Sequence, residues 1–463
     1  MVALYDTLAR AVVEVTPAGD SFRMYSCGPT VYRYSHIGNL RTFLMADLIR
    51  RTFEYQGTTV RQIQNITDVG HMTDDQFDTG EDKMLVSAGL EGRSPEEIAA
   101  YYTDAFLTDV AAINIQAAES YPRATGYIPQ MIEIISKLIE RGHAYAAAGG
   151  VYFDVRSFPA YGRLSGNTLD KLVAGHRKEI DDPNKRHHAD FLVWRPAGVG
   201  RMVKWESPWG DGFPGWHIEC SAMSIALLGD SFDLHTGGED NVFPHHEDEI
   251  AQSEGSVGHQ VVRHWVHGAH LLSEGRKMAK SAGNFYDLRD LAERGHNEPL
   301  AVRLLFLQSR YRAQMNFTLD ALGAAERTLS RWRRLIAGWA KETPTSADVA
   351  EPYEKRFVEA LNDDLDTPTV MALVSDVISS ATIPPADKAV LLQRWDGVLG
   401  LDLGREVGVV REFPAVALEM IEQREQARRK KDYSTADRIR HKILSLGVEV
   451  EDTPEGPKPR WVQ

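Results

Sequence analysis

Arg23-Met24-Tyr25-Ser26-Cys27-Gly28-Pro29 opens the stretch that decides the fold, and Val60-Arg61-Gln62-Ile63-Gln64-Asn65-Ile66 closes it. Residues 23–27 read as a short strand ended by Gly28-Pro29. A polar loop holds Tyr34-Ser35-His36-Ile37-Gly38-Asn39-Leu40. Residues 42–55 then carry Phe43, Leu44, Leu48, Ile49 and Phe53 at helical spacing, and Gln56-Gly57 suits a helix stop. Residues 60–66 read as the next strand. Strand, loop, helix, strand is a βαβ unit, so a parallel sheet with a right-handed crossover is expected. In such a sheet ligands bind outside the carboxyl ends of the strands, and a helix N-terminus offers N–H groups to phosphate.

Outward from this unit the pattern changes. Residues 113–209 mix a helix (128–142) with strand-like residues 150–155 and a polar stretch, 177–188; this reads as an insertion splitting the nucleotide-binding sheet. Residues 231–235 and 261–267 resume the α/β pattern. Helices dominate from residue 300, with a linker at Lys341-Glu342-Thr343-Pro344-Thr345-Ser346 and a break near 401–406. The tail reads as a helix, 434–446, with Ser434 as N-cap, Asp437 at N3 and Gly447 as stop, then a strand at 448–450.

The 463 residues suggest about three domains, and 43% hydrophobic with 25% charged residues is ordinary for a soluble globular chain. The start lacks the basic, apolar pattern of a signal peptide, and no run is long enough to span a membrane. A cytoplasmic monomer is expected. The net charge of −14 argues against non-specific coating of nucleic acid. The charge is uneven, though. Residues 303–334 carry seven Arg against two acids, and 424–442 carry eight Lys/Arg against three acids, each a local +5. Two basic stretches in the C-terminal third of an acidic chain suggest a phosphate-rich partner.

Two cysteines are too few for a disulfide scaffold. By count they read as inert thiols; their contexts say otherwise. Cys27 follows the first strand. Cys220 sits in Gly215-Trp216-His217-Ile218-Glu219-Cys220-Ser221, and Phe243-Pro244-His245-His246-Glu247-Asp248-Glu249 places His245 and Glu249 one helical turn apart. Cys27, Cys220, His245 and Glu249 offer S, S, N and O donors that zinc accepts. On the motif alone, a metal site and a polar helix start are equally good readings. A second polar segment, Ser273-Glu274-Gly275-Arg276-Lys277-Met278-Ala279-Lys280-Ser281-Ala282-Gly283-Asn284, puts two lysines three apart on a Gly-containing loop able to close over phosphates. Gly210–Gly215 fits G-x-G-x-x-G, but Pro214 and the missing preceding strand make it a chance match.

His36-Ile37-Gly38-Asn39 and Lys277-Met278-Ala279-Lys280-Ser281 resemble the HIGH and KMSKS signatures of class I aminoacyl-tRNA synthetases, with Asn39 and Ala279 as departures. The segments around Cys27, Cys220 and His245, together with Leu361-Asn362-Asp363-Asp364-Leu365-Asp366-Thr367-Pro368 and the tail Gly456-Pro457-Lys458-Pro459-Arg460-Trp461, resemble cysteinyl-tRNA synthetases over nearly the whole chain. Asp68-Val69-Gly70-His71 departs from the Asp-Val-Asp-Asp of many members.

The resemblance implies an α/β, Rossmann-type catalytic sheet with an inserted connective domain, a helical bundle and a small anticodon-binding domain. The expected parts are 1–112 and 210–270 for the catalytic halves, and 113–209 for the insertion. A KMSKS-loop and stem-contact region is expected at 271–317, the bundle at 318–400 and the anticodon domain at 405–463. It implies ATP-dependent activation of L-cysteine to cysteinyl-adenylate and transfer to tRNA(Cys). His36, Lys277 and Lys280 would act on the phosphates, joined around ATP by Thr30, Gly38, Asn39 and Met278. Gly28, Thr67, Trp216 and His235 would line the amino-acid pocket. Cys27, Cys220, His245 and Glu249 would hold one zinc selecting the substrate thiol, and Mg²⁺ would accompany ATP. Two rivals stand beside this reading. One is a cysteine ligase that joins the adenylate to a small amine, as in the mycothiol pathway. The other is a non-catalytic tRNA-binding paralogue.

Overall fold

The computed structural model describes residues 1–461 except 70–71, 75–78, 148–149, 169–181, 199–200, 202, 279–282, 346–349, 410–412 and 454–455. The expected βαβ unit is present as β1 (Phe22–Ser26), α1 (Ile37–Tyr55) and β2 (Val60–Gln64). The helix starts five residues earlier than hydrophobic spacing indicates. The reason is local: His36 caps it, its Nδ1 accepting from the Asn39 backbone N–H at 3.2 Å, while Asn39 Oδ1 accepts from the His36 N–H at 3.2 Å. This is a capping box made by His and Asn rather than by Ser and Glu. At the far end Phe53 stacks on Phe22, ring centroids 4.1 Å apart, which fastens the helix across its sheet.

The second half supplies α2 (Trp216–Leu228), β3 (Phe232–Gly238), α3 (Glu247–Val257) and β4 (Val262–Gly268). The sheet order is β4-β3-β1-β2, all parallel, with His235 level with Tyr25 and Trp265. The strand order reverses between β1 and β3, and that junction is where an open α/β sheet forms its crevice. Between β2 and α2 lies the insertion: helix Ile128–Glu140 and an antiparallel sheet of Ala144–Ala147, Gly150–Phe153, Phe191–Pro196 and Gly212–Pro214. Gly212–Pro214 is thus an edge strand, and the G-x-G-x-x-G match is no phosphate loop.

Helices Leu319–Trp339, Glu351–Asn362, Thr367–Ser379 and Pro385–Leu399 share one apolar core with α1. The tail forms helices Ala415–Arg429 and Tyr433–Ser445 and a hairpin, Val448–Thr453 with Gly456–Trp461, around a small core of its own. Its second helix is capped by Asp432, which accepts from the Thr435 N–H, and not by Ser434. Both are good caps; the carboxylate two residues upstream adds charge at the positive helix end.

The two basic stretches prove different. Of the seven arginines between 303 and 334, four are occupied within the chain. Buried Arg303 bonds Asp47 and the Leu399 carbonyl, Arg333 bonds Glu298 and the Leu401 carbonyl, and Arg310 and Arg312 pair with Asp366 and Asp364. In the tail Arg424 and Arg428 hold Asp452, whereas Arg429, Lys430, Lys431, Arg438, Arg440 and Lys442 are exposed. Among the described residues no helix is long and apolar enough to cross a membrane.

Candidate functional site

The crevice at the β1/β3 junction is an open cleft of about 190 Å³. Its lining includes Cys27, Gly28, Thr30, His36, Asn39, Thr67, Trp216, Cys220 and His245, so most of the sequence-derived candidates meet in one place.

One end is built by the loop between β1 and α1. Gly28 passes so close to β2 that a Cβ would lie 1.7 Å from the Asn65 carbonyl oxygen, and its N–H donates to Asn65 Oδ1 at 2.8 Å. Only glycine fits there. Thr67 N–H then bonds the Pro29 carbonyl at 3.0 Å, and the Val31 N–H bonds the Thr67 carbonyl at 3.1 Å. Thr30 and Thr67 are thereby set side by side. Burial, with Arg33 nearby, lowers the His36 pKa to about 4. The ring is neutral, its Nδ1 is engaged as an acceptor, and Nε2 therefore carries the proton. That leaves an N–H donor at the N-terminus of α1, where an anion is favoured. Gly38 brings in the second signature: a Cβ there would lie 2.5 Å from Met278 Cε. Lys280 lies outside the described residues, as does the side chain of Lys277.

The other end gathers Cys27, Cys220, His245 and Glu249, all buried, with one donor atom from each lying within 4.8 Å of the others. His245 Nε2 is 2.9 Å from Glu249 Oε1. The helical-turn spacing holds, although His245 sits in a single π-type turn, Val242–His246, that leads into α3. A tetrahedral zinc with ordinary bond lengths needs donors roughly 3.3–3.8 Å apart, so small side-chain shifts suffice. Electrostatics also fit a cation. Burial raises the pKa of Cys27, Cys220 and Glu249, each disfavoured as an anion in this dry corner. Burial alone would depress His245, but Glu249 and Cys220 outweigh it and push the imidazole up to about 10. The corner thus favours positive charge, which a divalent ion would supply in place of the His245 proton.

A second tetrad, Cys27, His235, His246 and Glu249, is equally compact. His235 and His246 do not line the cleft, whereas Cys27, Cys220 and His245 do. A ligand entering the cleft therefore meets the first tetrad. His235, expected in the amino-acid pocket, lies a layer beneath: fully buried, stacked on Trp265 at 4.5 Å, with Nε2 3.5 Å from Cys27 Sγ. Trp216 covers the front, its ring centroid 4.3 Å from that of His245.

Sequence reasoning passed over the groups behind the donors. His246 Nε2 is 3.1 Å from Cys27 Sγ, its Nδ1 is 2.7 Å from His267 Nε2, and His267 Nδ1 is 2.7 Å from Thr7 Oγ1. His217 Nδ1 is 2.9 Å from His245 Nδ1. A signal existed: seven of the sixteen histidines fall between 217 and 267. Asp68 is held by the Thr125 N–H and hydroxyl, at 2.9 and 2.7 Å; Gly70 and His71 lie outside the described residues.

Residues 14–327 match the family of tRNA synthetases class I (C) catalytic domains, and residues 410–457 match the cysteinyl-tRNA ligase anticodon binding domain. A cysteine–tRNA ligase of Thermus thermophilus is 44% identical, covering 99% of this chain and 98% of the relative. One of Salinibacter ruber is 42% identical, covering 98% and 97%. Among solved structures, Mycobacterium tuberculosis methionyl-tRNA synthetase with methionyl-adenylate shares the fold at TM-score 0.57 and 15% identity, over 83% of this chain and 93% of that one. The LeuRS of an Agrobacterium radiobacter ternary complex does so at TM-score 0.60 and 11% identity, over 86% of each. With a catalytic match spanning two thirds of its length and such relatives end to end, the chain belongs to the cysteinyl-tRNA ligase family of class I aminoacyl-tRNA synthetases.

Proposed function

We propose that the cleft activates L-cysteine with ATP and passes it to the 3′ end of tRNA(Cys), with one zinc on Cys27, Cys220, His245 and Glu249 choosing the substrate. The observation that carries this is the single cleft with a thiol-and-imidazole donor set at one end and the neutral His36 N–H at a helix N-terminus at the other. A cysteine carboxylate oxygen attacks the α-phosphorus of ATP and pyrophosphate leaves. His36 donates from Nε2 to a phosphate oxygen, Thr30, Gly38, Asn39 and Met278 shape the nucleotide's bed, and Lys277 and Lys280 close over the charge. Mg²⁺ accompanies the nucleotide. Gly28, Thr67 and Trp216 bound the amino acid, and His235 supports the pocket from beneath. The terminal ribose hydroxyl then attacks the adenylate's carbonyl carbon and AMP leaves; positioning carries the rate.

Zinc bound there would offer a soft cation to the substrate thiolate, which a serine hydroxyl cannot match. Pocket shape alone separates such near-isosteres poorly. The parts act as a catalytic sheet (1–112 and 210–270), a connective insertion (113–209, its sheet completed by the edge strand Gly212–Pro214), a stem-contact region (271–317), a bundle (318–400) and an anticodon module (405–463). That module presents Arg429, Lys430, Lys431, Arg438, Arg440 and Lys442 to RNA. The chain works as a cytoplasmic monomer.

The test is aminoacylation with cysteine and bulk tRNA, run with an adenylate readout and a zinc assay. Charging with one zinc per chain supports the reading. Adenylate without charging favours the small-amine ligase, and neither product favours a binding paralogue.

A further inference from the structure

His217, Asp248 and Tyr161 do not line the cleft, yet they end at the imidazole that faces it. His245 Nδ1 and His217 Nδ1 are 2.9 Å apart. One must donate and the other accept. On its other edge His217 Nε2 lies 3.4 Å from Asp248 Oδ2, and Asp248 Oδ1 accepts from the Tyr161 hydroxyl. All four residues are buried, at 1% exposure for His217, 0% for Asp248, 2% for His245 and 3% for Tyr161, so water does not scramble the assignment.

The carboxylate tips it by its charge, since at 3.4 Å Asp248 Oδ2 makes no hydrogen bond to His217 Nε2. Asp248 favours the His217 tautomer with its proton on Nε2, which leaves His217 Nδ1 as an acceptor. His245 must then carry a proton on Nδ1, and its Nε2, 2.9 Å from Glu249 Oε1, is the nitrogen left to give up its proton to a metal. Reversing His217 would put the His245 proton on Nε2, in the place a metal needs. We propose that His217 and Asp248 are positioning residues that lock His245 in its metal-accepting tautomer, with Tyr161 of the insertion steadying the carboxylate. This rests on the zinc reading above. The same segment of the insertion grips the start of α3 a second time: Glu247 accepts from the Gly162 N–H and from the Ser165 N–H and hydroxyl. The insertion thus sets the geometry of a metal site to which it contributes no ligand. Outer groups of this kind commonly govern metal affinity.

Two substitutions separate the role from mere packing. In His217→Asn the amide oxygen falls near the former Nδ1 and still accepts from His245. In His217→Gln the amide lies further out and that acceptor is lost. The measurements are zinc affinity by chelator competition and the visible spectrum of the Co²⁺-loaded full chain, with chemical denaturation of each variant. His217→Gln is expected to weaken zinc binding by roughly 10–100-fold and shift the Co²⁺ bands, with Asp248→Asn near the lower end of that range. His217→Asn is expected to stay within a few-fold of the parent. Equal losses in Asn and Gln, or an unchanged zinc affinity and spectrum in Gln, overturn the proposal. A parent chain that takes up no zinc overturns the zinc reading itself; a parent that binds zinc beside an unaffected Gln variant leaves that reading standing and removes only the tautomer lock.

Discussion

At the proposed phosphate end of the cleft the groups on the α1 side come from one short run: Thr30, His36 and Asn39 lie within ten residues, and the capping box takes four. At the thiol end the donors come from Cys27, Cys220, His245 and Glu249, with the first and last 222 positions apart and all buried. The phosphate end is a helix terminus that forms wherever α1 forms. The thiol end exists only when β1, α2 and α3 are packed together. Removing a group should therefore damage the two ends in different ways.

The sharpest break is His245→Ala. It removes a donor and leaves Cys27, Cys220 and Glu249 crowded without a nitrogen ligand. Zinc content should fall below stoichiometry, and cysteine-dependent pyrophosphate exchange should drop by more than the roughly 10–100-fold typical of outer groups. ATP affinity should hold. Cysteine activation that persists without metal would detach the thiol end from function. At the other end His36→Ala removes one preorganised donor, a change costing about 10²–10³ in rate in comparable sites. The adenylate rate should fall by that factor while the KM for cysteine and the zinc content stay put. Equal losses in rate and cysteine affinity would mean that the two ends are not separable.

Legibility follows the same division. The βαβ unit and the capped loop could be read because their signals are local: a Gly-Pro stop, helical spacing, a polar loop. The metal donors could be nominated only as residue types, since nothing local says that Cys27 meets Cys220. The histidines behind them were hidden for the same reason. His267 reaches Cys27 only through His246 and across strand and helix, and His217 was visible only as a neighbour of Trp216. The occupied arginines show the reverse error. Arg303 and Arg333 look like a basic face, but they satisfy carbonyls at the end of helix Pro385–Leu399. No spacing rule reveals a partner some seventy to a hundred residues away.

Acid should find the thiol end through its neutral histidines. Burial, only partly offset by Asp6, lowers His267 to about 3, while the unfolded chain's histidine titrates near 6.5. Below pH 6.5 the unfolded chain binds the proton and the folded chain does not. The stability this group contributes is therefore complete above about 6.5 and is lost as pH falls toward 3. By pH 5 the loss from His267 is about 2 kcal/mol. Urea denaturation at pH 7 and pH 5 measures it, and His267→Asn should flatten the slope. A slope untouched by that change would place the acid sensitivity elsewhere in the molecule.

The smallest effect should come from Asn39→Ala. The backbone N–H of residue 39 still reaches His36 Nδ1, so the tautomer of the histidine survives. What disappears is the Asn39 Oδ1 that accepts from the His36 N–H, one half of the capping box. Losing a cap of this kind costs about 1 kcal/mol. Asn39 is exposed, so water replaces part of the lost bond and no cavity opens. Denaturation should register that modest loss, and the adenylate rate should fall only a few-fold because the Nε2 donor remains in place. Asn39→Asp keeps the acceptor yet sets a negative charge beside the phosphates. It should therefore preserve stability and depress the rate further than alanine does. If aspartate were instead the faster variant, residue 39 would act through the cap alone and would not face the nucleotide.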